Sequence, residues 1–396
     1  MRAYRDPVNR RRLLELAGLG ASAAFAGCTA GYVGDRRRET VADAPVALPV
    51  PESKLRRAAP RDGIPAITDP AFASDWSGVV VDFDTGTTYR PRLADEDPVV
   101  GVVRRDLATD GADAGDDAPG ARAYPLKLLD WHEVVNDRFA GPLLVTYCPI
   151  CRSGLVARRS VGGEVAEFGV SGLLFRENLV LYDDSTGSLW SQLLATAIRG
   201  PGTGETLAVL PSTLTTWGEW RRRFPDGEVL LPPPLSDTVV GPVRFDYDFD
   251  LVGRARENAA YLEERLGDDF DDSRLPKRAL VLGVAADGRA RAYPLTELPA
   301  APVNDRVGVG GPPVVVAGRQ GSAVAFDRRV DGRPLTFERA DPGFVRAGGS
   351  RWRVETGRAV DGPLAGTRLR RANAHPPLFW FAWLGFHPGT TVWGRE

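Results

Sequence analysis

The sequence predicts a mainly β (α+β) protein made of two diverged tandem copies of one unit, each a β-barrel or β-sandwich with short helices. Two observations lead to this prediction. A series of motifs occurs twice in the same order, and the apolar segments within each copy are short, rich in β-branched residues and bounded by Gly, Pro, Asn or Asp. The 44 Gly and 32 Pro among 396 residues also favour many turns and short strands.

The repeat is visible in four pairs of segments with matching spacing. They are ARAYPL at 121–126 and 290–295, VND at 135–137 and 303–305, the stretches from Trp190 to Leu207 and from Trp352 to Leu369, and a Trp-x-x-Trp…Pro segment at 217–225 and 380–388. A period this long indicates duplicated domains rather than a solenoid of short repeats.

Strands are predicted at VVGVV, PLLVTYC, GLVARRSV and NLVLY, and a helix is predicted at 256–267, where apolar residues recur at helical spacing. The resulting organisation has an export signal at 1–28, a flexible tether at 29–60, copy one at 61–240, a connector with the helix at 241–278, and a degenerate copy two at 279–396.

The bulk composition indicates a globular protein without a nucleic-acid-binding face. Hydrophobic residues make up 43% of the chain, charged residues 26%, and the formal net charge is -2. We therefore expect no nucleic acid partner, and the sequence identifies no protein partner.

The N-terminus has the order of features expected of an export signal. Arg10 and Arg11 precede a small-residue apolar stretch that is too short to span a bilayer, and Phe25-Ala26-Gly27-Cys28 is similar to a lipobox. This order predicts twin-arginine export, lipidation at Cys28 and attachment of the protein to the extracytoplasmic face of the cell membrane.

Comparison of the copies identifies four residues in copy one that could bind a metal or carry out thiol chemistry. Copy one contains His132, Glu133, Cys148 and Cys151. Copy two has Pro299-Ala300-Ala301 in place of Trp131-His132-Glu133, and it has no cysteine in the stretch that matches Cys148 and Cys151. Their joint absence from copy two fits a site that exists once, in copy one.

Three interpretations of this site remain open. In the first, Cys148, Cys151 and His132 bind Cu or Zn, with Glu133 or Asp137 as a further ligand or a supporting residue. In the second, the Cys-Pro-x-Cys pair is a thiol–disulfide oxidoreductase centre. In the third, the protein is a non-catalytic binding or scaffold module and the pair forms a structural disulfide. The sequence does not decide whether the protein is an enzyme.

Four other side chains are expected to line the same pocket. Tyr147 precedes the first cysteine, and Ser171 lies in FGVSGLL, which we interpret as a tight turn. Trp190 is shared by both copies and is expected to form pocket wall or core, whereas Gln192 becomes Val354 in copy two. Asn136 and Asp137, with Asn304 and Asp305 in copy two, are interpreted mainly as turn residues that bond nearby backbone.

Several segments together resemble domain-of-unknown-function family 3179. They are GIPAITDPAF, ARAYPL, WHEVVND, VTYCPICRSG, FGVSGLL, NLVLYDDSTGSLWSQ and the Trp-x-x-Trp…Pro segment. The resemblance runs from about Gly63 to Leu231 in copy one, and copy two is a degenerate continuation of it. The resemblance implies no established activity, although similar members are often exported. The chain departs from the family's pattern at Arg152, where a Gly usually follows the second Cys, and this bears on which backbone amides reach the sulfurs.

Overall fold

Six β-sheets of three to five strands in a propeller-like arrangement, with three further two-stranded sheets, form most of the part of the chain described by a computed structural model. The structure describes residues 46–395 apart from 83–87, 108–119, 244, 246, 248–250, 267–269, 309 and 320–321. The predicted mainly β class is confirmed, but the predicted barrel or sandwich units are wrong. Short strands separated by turns are common to barrels, sandwiches and propeller blades, so the sequence pattern does not distinguish them.

The strands up to residue 240 are β1 (Leu55–Arg57), β2 (Ile67–Asp69), β3 (Phe72–Ala73), β4 (Val81–Asp82), β5 (Thr88–Tyr89), β6 (Pro98–Val103), β7 (Ala121–Pro125), β8 (Val134–Arg138), β9 (Pro142–Cys148), β10 (Ser153–Arg158), β11 (Ser160–Val161), β12 (Glu164–Val165), β13 (Phe168–Phe175), β14 (Asn178–Asp183), β15 (Leu189–Ser191), β16 (Thr196–Arg199), β17 (Thr213–Thr216), β18 (Glu228–Leu230) and β19 (Asp237–Thr238).

The later strands are β20 (Leu280–Ala286), β21 (Arg289–Pro294), β22 (Val303–Arg306), β23 (Pro313–Arg319), β24 (Ser322–Asp327), β25 (Arg329–Val330), β26 (Arg333–Pro334), β27 (Glu338–Arg339), β28 (Phe344–Ala347), β29 (Ser350–Arg353), β30 (Arg358–Ala359), β31 (Leu378–Phe379) and β32 (Thr391–Val392). The helices are a short 3-10 turn (Glu52–Lys54), α1 (Arg104–Leu107), α2 (Leu126–His132), α3 (Trp217–Arg223), α4 (Leu251–Leu266) and α5 (Trp380–Phe386).

Copy one forms three of the six sheets, which we call blades, with β1 added from the end of the predicted tether, and copy two forms the other three. Blade 1 has the strand order β17-β6-β7-β18-β3, blade 2 has β10-β9-β8-β2-β19, and blade 3 has β1-β13-β14-β15-β16. Copy two supplies blade 4 (β31-β20-β21-β32), blade 5 (β22-β23-β24) and blade 6 (β27-β28-β29-β30). Blades 1 and 4 share a parallel pairing, β18 with β7 and β32 with β21, within otherwise antiparallel sheets. The repeat in the sequence therefore corresponds to a set of three blades.

The same glycine–tryptophan contact holds a helix onto the sheet in both copies. A Cβ atom on Gly101 of β6 would lie 2.2 Å from the ring of Trp220 on α3. A Cβ on Gly283 of β20 would lie equally close to Trp383 on α5. Only a residue without a side chain allows this approach, so both glycines are fixed by the packing of the indole.

The shared Asn and Asp residues connect distant segments instead of forming local turns. Asn136 donates to the carbonyl of Phe168 and accepts from its N–H, both at 2.8 Å, and Asn304 makes the same pair of bonds to Phe337. Each of these bonds joins residues 32 or 33 positions apart. The predicted structural role is thus carried out by long-range hydrogen bonds, and the predicted turn geometry is wrong.

Among the described residues, the structure contains no helix with the length and apolar character needed to cross a membrane. The predicted signal residues Arg10, Arg11 and Cys28 lie outside the described residues. The predicted helix of the connector corresponds to α4.

Candidate functional site

The hairpin of β9 and β10 places both cysteines at one end of blade 2. β9 ends at Cys148, β10 begins at Ser153, and these two residues are paired across the hairpin. The intervening turn closes through a hydrogen bond from the Arg152 N–H to the carbonyl of Pro149, and Arg152 has φ of 53°. Glycine adopts this left-handed region most easily, so a glycine would suit this position. The backbone of Arg152 is strained there, because its Cβ disfavours a positive φ.

Both sulfurs are buried, and no disulfide joins them in the structure. Cys148 and Cys151 are free thiols with 1% and 0% exposure, respectively. The Cys151 thiol lies 3.3 Å from the carbonyl oxygen of Glu177, which is an alternative to the Cys148 sulfur as acceptor of its single proton. The Asn178 side chain lies 3.5 Å from the Cys151 sulfur and donates to it. The pair is therefore held in a closed environment that already contains specific polar partners.

The surroundings shift the pKa values of the two thiols in opposite directions. Burial alone would raise the pKa of Cys148, but hydrogen bonds from the Cys151 thiol and from the backbone N–H groups of Cys151, Leu179 and Ile150 outweigh it, and the pKa lies below its usual value. Burial, together with hydrogen bonding and charge at Cys148, raises the pKa of Cys151 well above its usual value. Cys148 is consequently the sulfur that becomes a thiolate first.

A network of three polar side chains supports the dithiol from the side of blade 3. Ser153 donates to Gln192 at 2.9 Å, Asn178 donates to the same Gln192 oxygen at 2.9 Å, and Gln192 donates in turn to the Ser153 carbonyl at 3.0 Å. All three residues are at most 1% exposed. Strand register aligns Asn178 with Pro342 and Gln192 with Val354, so the network exists in copy one alone.

Copy two closes the remaining side of the site. The backbone N–H of Phe379 donates to the Cys151 carbonyl at 3.0 Å. The buried ring of His375 lies between the carbonyls of Gly154 and Leu193, at 3.1 Å from Nδ1 and 2.9 Å from Nε2. Burial lowers the pKa of His375, and the two carbonyls oppose this effect only in part. The dithiol site thus contains backbone and side-chain contributions from both copies.

His132 lies apart from the sulfurs, on the other face of blade 2. Side chains alternate along β9, so Leu144 and Cys148 enter one core cluster while Leu143 and Tyr147 enter another. The His132 ring packs beside Tyr247 in the second cluster; its Nδ1 lies 2.6 Å from the Pro65 carbonyl and its Nε2 lies 2.8 Å from the Tyr247 hydroxyl. Burial lowers the pKa of His132 to about 4.

The expected convergence of Cys148, Cys151 and His132 therefore does not occur. Both nitrogens of the imidazole are already used by hydrogen bonds in the protein interior. In the part of the chain that the structure describes, no group of three or more His, Cys, Asp and Glu side chains is placed to hold a metal ion. The sequence could not reveal the distance between His132 and Cys148, which lie 16 positions apart. Side chains alternate between the two faces of a strand, so the face on which Cys148 lies depends on where β9 begins.

Glu133 and Asp137 also have positions that differ from the expected ligand role. Glu133 ends α2 in the left-handed region with φ of 56°, and its carbonyl accepts from the N–H of Tyr147. Asp137 accepts two bonds from Arg122, at 2.8 and 2.9 Å, and one from the Tyr124 hydroxyl at 2.6 Å. Copy two contains the same arrangement.

In copy two, Asp305 lies 3.0 Å both from Arg291 and from the Tyr293 hydroxyl. This repetition in the copy without cysteines indicates that Asp137 serves the fold.

Of the four expected pocket residues, only Gln192 joins the dithiol network. Tyr147 points into the cluster on the opposite face. Ser171 donates to the Val180 carbonyl at 2.6 Å within a bulge of β13, so FGVSGLL is a strand and not a tight turn. Trp190 is fully buried and donates to Asp183 at 2.9 Å, which fits the expected core role.

The family of the chain can now be stated. The sequence model of a family described as "Protein of unknown function (DUF3179)" matches residues 61–390. The chain belongs to this family. The match extends through both copies and includes strands of all six blades, although β1 and β32 lie outside it. No curated protein and no solved structure matches the chain.

Two residues around the dithiol are not among those that the sequence predicts. Asn178 lies in the predicted strand NLVLY, and its replacement by Pro342 in copy two is a signal that could have identified it. His375 belongs to copy two, so a comparison that selects residues found in copy one alone does not reveal it.

Proposed function

We propose that this protein is an extracytoplasmic, lipid-anchored protein that binds one soft metal ion, Cu(I), between the sulfurs of Cys148 and Cys151. The observation that carries the proposal is the pair of thiols on one turn that no disulfide joins, with backbone N–H groups that lower the pKa of Cys148. These N–H groups stabilise the thiolate, which is the form of cysteine that binds metals.

The ligand set favours Cu(I) over Zn(II). Thiolate ligands select soft ions such as Cu(I), whereas structural zinc sites have four ligands in a tetrahedral arrangement. The turn supplies two sulfurs, and His132 is engaged by Pro65 and Tyr247. A two-sulfur site is therefore the form of the metal hypothesis that the geometry supports.

The test is an anaerobic titration of the reduced full-length chain with Cu(I) in competition with a chromogenic chelator. We expect one ion per chain, and we expect Cys148→Ser and Cys151→Ser each to weaken binding by at least about a hundredfold, since each removes one of two ligands. His132→Gln and Cys28→Ser serve as controls and should retain the affinity of the unchanged chain.

Failure to bind Cu(I), or retention of binding in folded Cys148→Ser, would exclude the proposed site. A large loss of affinity in His132→Gln with an intact fold would instead favour the three-ligand arrangement.

The opposite pKa shifts of the two cysteines also support a second function, thiol–disulfide exchange. A thiolate at Cys148 beside a protonated Cys151 is the division of roles that such exchange requires. Equilibration with glutathione buffers, followed by mass determination of the trapped thiols, measures the reduction potential. A pair that stays reduced in the most oxidising buffer would exclude this function.

The membrane attachment rests on Cys28 and is tested separately. Metabolic labelling with a fatty acid analogue should mark the unchanged chain, and Cys28→Ser should lose both the label and the membrane fraction. An unlabelled chain found in the membrane fraction would contradict the lipid anchor.

A further inference from the structure

A two-residue turn, Arg176–Glu177, joins β13 to β14 and lies against the dithiol. The Glu177 carbonyl lies 3.3 Å from the Cys151 sulfur, and the backbone N–H of Leu179 donates to the Cys148 sulfur. Both cysteines are at most 1% exposed, whereas Arg176 is exposed to solvent. A metal ion or a thiol reagent therefore reaches the sulfurs only after a covering segment moves, and this turn with the start of β14 contacts both of them.

The backbone of this turn differs from that of other tight hairpins in the molecule. Arg176 and Glu177 have φ of 53° and 58°, the left-handed region that a hairpin turn of this kind requires at both positions. Four other two-residue hairpin turns in the described ranges also have positive φ at both positions, and all four have Gly at the second: Gly162-Gly163, Asp287-Gly288, Asp331-Gly332 and Gly348-Gly349. The turn at the dithiol has no glycine, so its backbone conformation is costly and other contacts must maintain it.

The equivalent turn of copy two does not share this conformation. Strand register aligns Arg176 and Glu177 with Ala340 and Asp341, and neither of these two residues has a positive φ. The strained turn is therefore present beside the sulfurs and absent from the equivalent position in the copy that has no cysteine.

Two segments that are distant in the chain hold the Glu177 carboxylate. It accepts from Arg56 Nε at 3.1 Å and from the Tyr261 hydroxyl at 2.9 Å, and Arg56 also donates to the Tyr261 oxygen. Arg56 lies in β1, at the end of the predicted tether, and Tyr261 lies in α4 of the connector. The Arg56–Glu177 ion pair is partly buried, so solvent and salt screen it less than a pair on the open surface.

Copy two holds the other residue of the turn. The Arg176 guanidinium donates to the Gly385 carbonyl and lies 5.5 Å from the centre of the Phe386 ring, and both partners belong to α5. Contacts from β1, α4 and α5 thus converge on a turn of two residues. These contacts, and not the preference of the turn's own backbone, keep the turn in place.

We propose that the Arg176–Glu177 turn is a gate over the dithiol, held closed by Arg56 and Tyr261 and opened when they release Glu177. Opening withdraws the Glu177 carbonyl from Cys151 and admits the ion or the thiol reagent. Because Arg56 lies in a strand of three residues that pairs with β13, separation of this strand releases the clamp. The gate rests on the proposed function as a route for Cu(I), and it is independent of that function as a barrier to thiol reagents.

The test is alkylation of the folded, full-length Cys28→Ser chain with iodoacetamide, followed by mass spectrometry of Cys148 and Cys151, the two cysteines that remain. We expect alkylation of this chain to be slow. Arg56→Ala or Glu177→Ala should accelerate it by about tenfold, because local opening limits the reaction. The double variant should react at about the rate of either single variant, since both changes remove the same ion pair.

Arg57→Ala and Glu263→Ala are the matched controls. Arg57 is the neighbouring residue in β1, and Glu263 lies on α4 but accepts from Lys277 at 3.1 Å. Both controls should leave the alkylation rate unchanged. Urea unfolding of every variant separates local opening from global unfolding, since a gate variant reacts faster than its loss of stability explains.

The gate is overturned if either control accelerates alkylation as much as Glu177→Ala, if the two single effects add in the double variant, or if the folded chain reacts as fast as the chain in urea. Stopped-flow mixing with Cu(I) tests the metal route, and Arg56→Ala and Glu177→Ala should bind the ion about tenfold faster with unchanged affinity. A chain that binds no Cu(I) but keeps the expected alkylation pattern would exclude the proposed function and support the gate.

Discussion

Replacing Asn136 with alanine should destabilise the protein far more than the same change at Asn304. Both side chains bridge to the backbone of a phenylalanine through two bonds of 2.8 Å, and Asn136 also donates to the Ile67 carbonyl at 3.3 Å. Asn136 is 1% exposed, whereas Asn304 is exposed to solvent. The same substitution is therefore made in two different environments.

The expected magnitudes follow from burial. Asn136→Ala leaves the N–H and carbonyl of Phe168 buried without their partner, and each orphaned group costs about 1–3 kcal/mol, which gives a loss of about 3–5 kcal/mol. In Asn304→Ala, water can replace the amide, so we expect a loss of about 1 kcal/mol.

Urea unfolding followed by tryptophan fluorescence measures both variants under one set of conditions, and the midpoints can be compared if the slopes agree. Equal losses in the two variants, or a loss below about 1 kcal/mol for Asn136→Ala, would refute the view that these amides act as buried connections between blades.

Three further predictions concern packing, pH and thiol chemistry. Gly101→Ala should lower the free energy of unfolding by about 3 kcal/mol or more, because its Cβ would lie 2.2 Å from the Trp220 ring, and thermal unfolding measures this loss. Stability should fall as the pH drops from about 6.5 towards 4, because the pKa of His132 is about 4 in the folded protein and the unfolded chain binds more protons in this window. Burial also lowers the pKa values of His375 and His387, so His132→Gln should reduce the slope of the profile and leave a remainder. A pH titration of thiolate absorbance should show a first step below the usual cysteine range, which Cys148→Ser removes.

Each of these experiments has a clear contrary outcome. Gly389→Ala is the control for packing, since a Cβ there meets nothing within 4 Å, and a similar loss in both glycine variants would contradict the proposed steric cause. A pH profile unaffected by His132→Gln would show that the imidazole does not contribute to acid sensitivity. A first thiol step that persists in Cys148→Ser would assign the more acidic thiol to Cys151.

Local signals in the sequence were sufficient for the β class, the repeat and the cysteine turn. Cys148 and Cys151 are close because a hairpin turn joins them, and this follows from neighbouring residues alone. The length of the repeat, in contrast, does not tell how many sheets a copy forms, because pairing between strands depends on contacts that are distant in the chain.

The remaining errors also come from long-range structure. His132 and Cys148 lie on opposite faces of blade 2. A shift of one residue in strand register would move Cys148 to the other face. Asn136 bonds to Phe168, 32 positions later, although its sequence context is typical of a turn. His375 reaches Gly154 across 221 positions, a distance at which a single sequence carries no visible signal.

Phe379 and His375 contact the cysteine turn, so the dithiol site of copy one depends on copy two. Copy two has no cysteine, yet its backbone N–H and imidazole complete the surroundings of the sulfurs in copy one. The first half is therefore not an autonomous module: a fragment ending near residue 240 would leave the turn open to water and its carbonyls without these donors. Copy two, although it carries no cysteine, is therefore a structural part of the dithiol site.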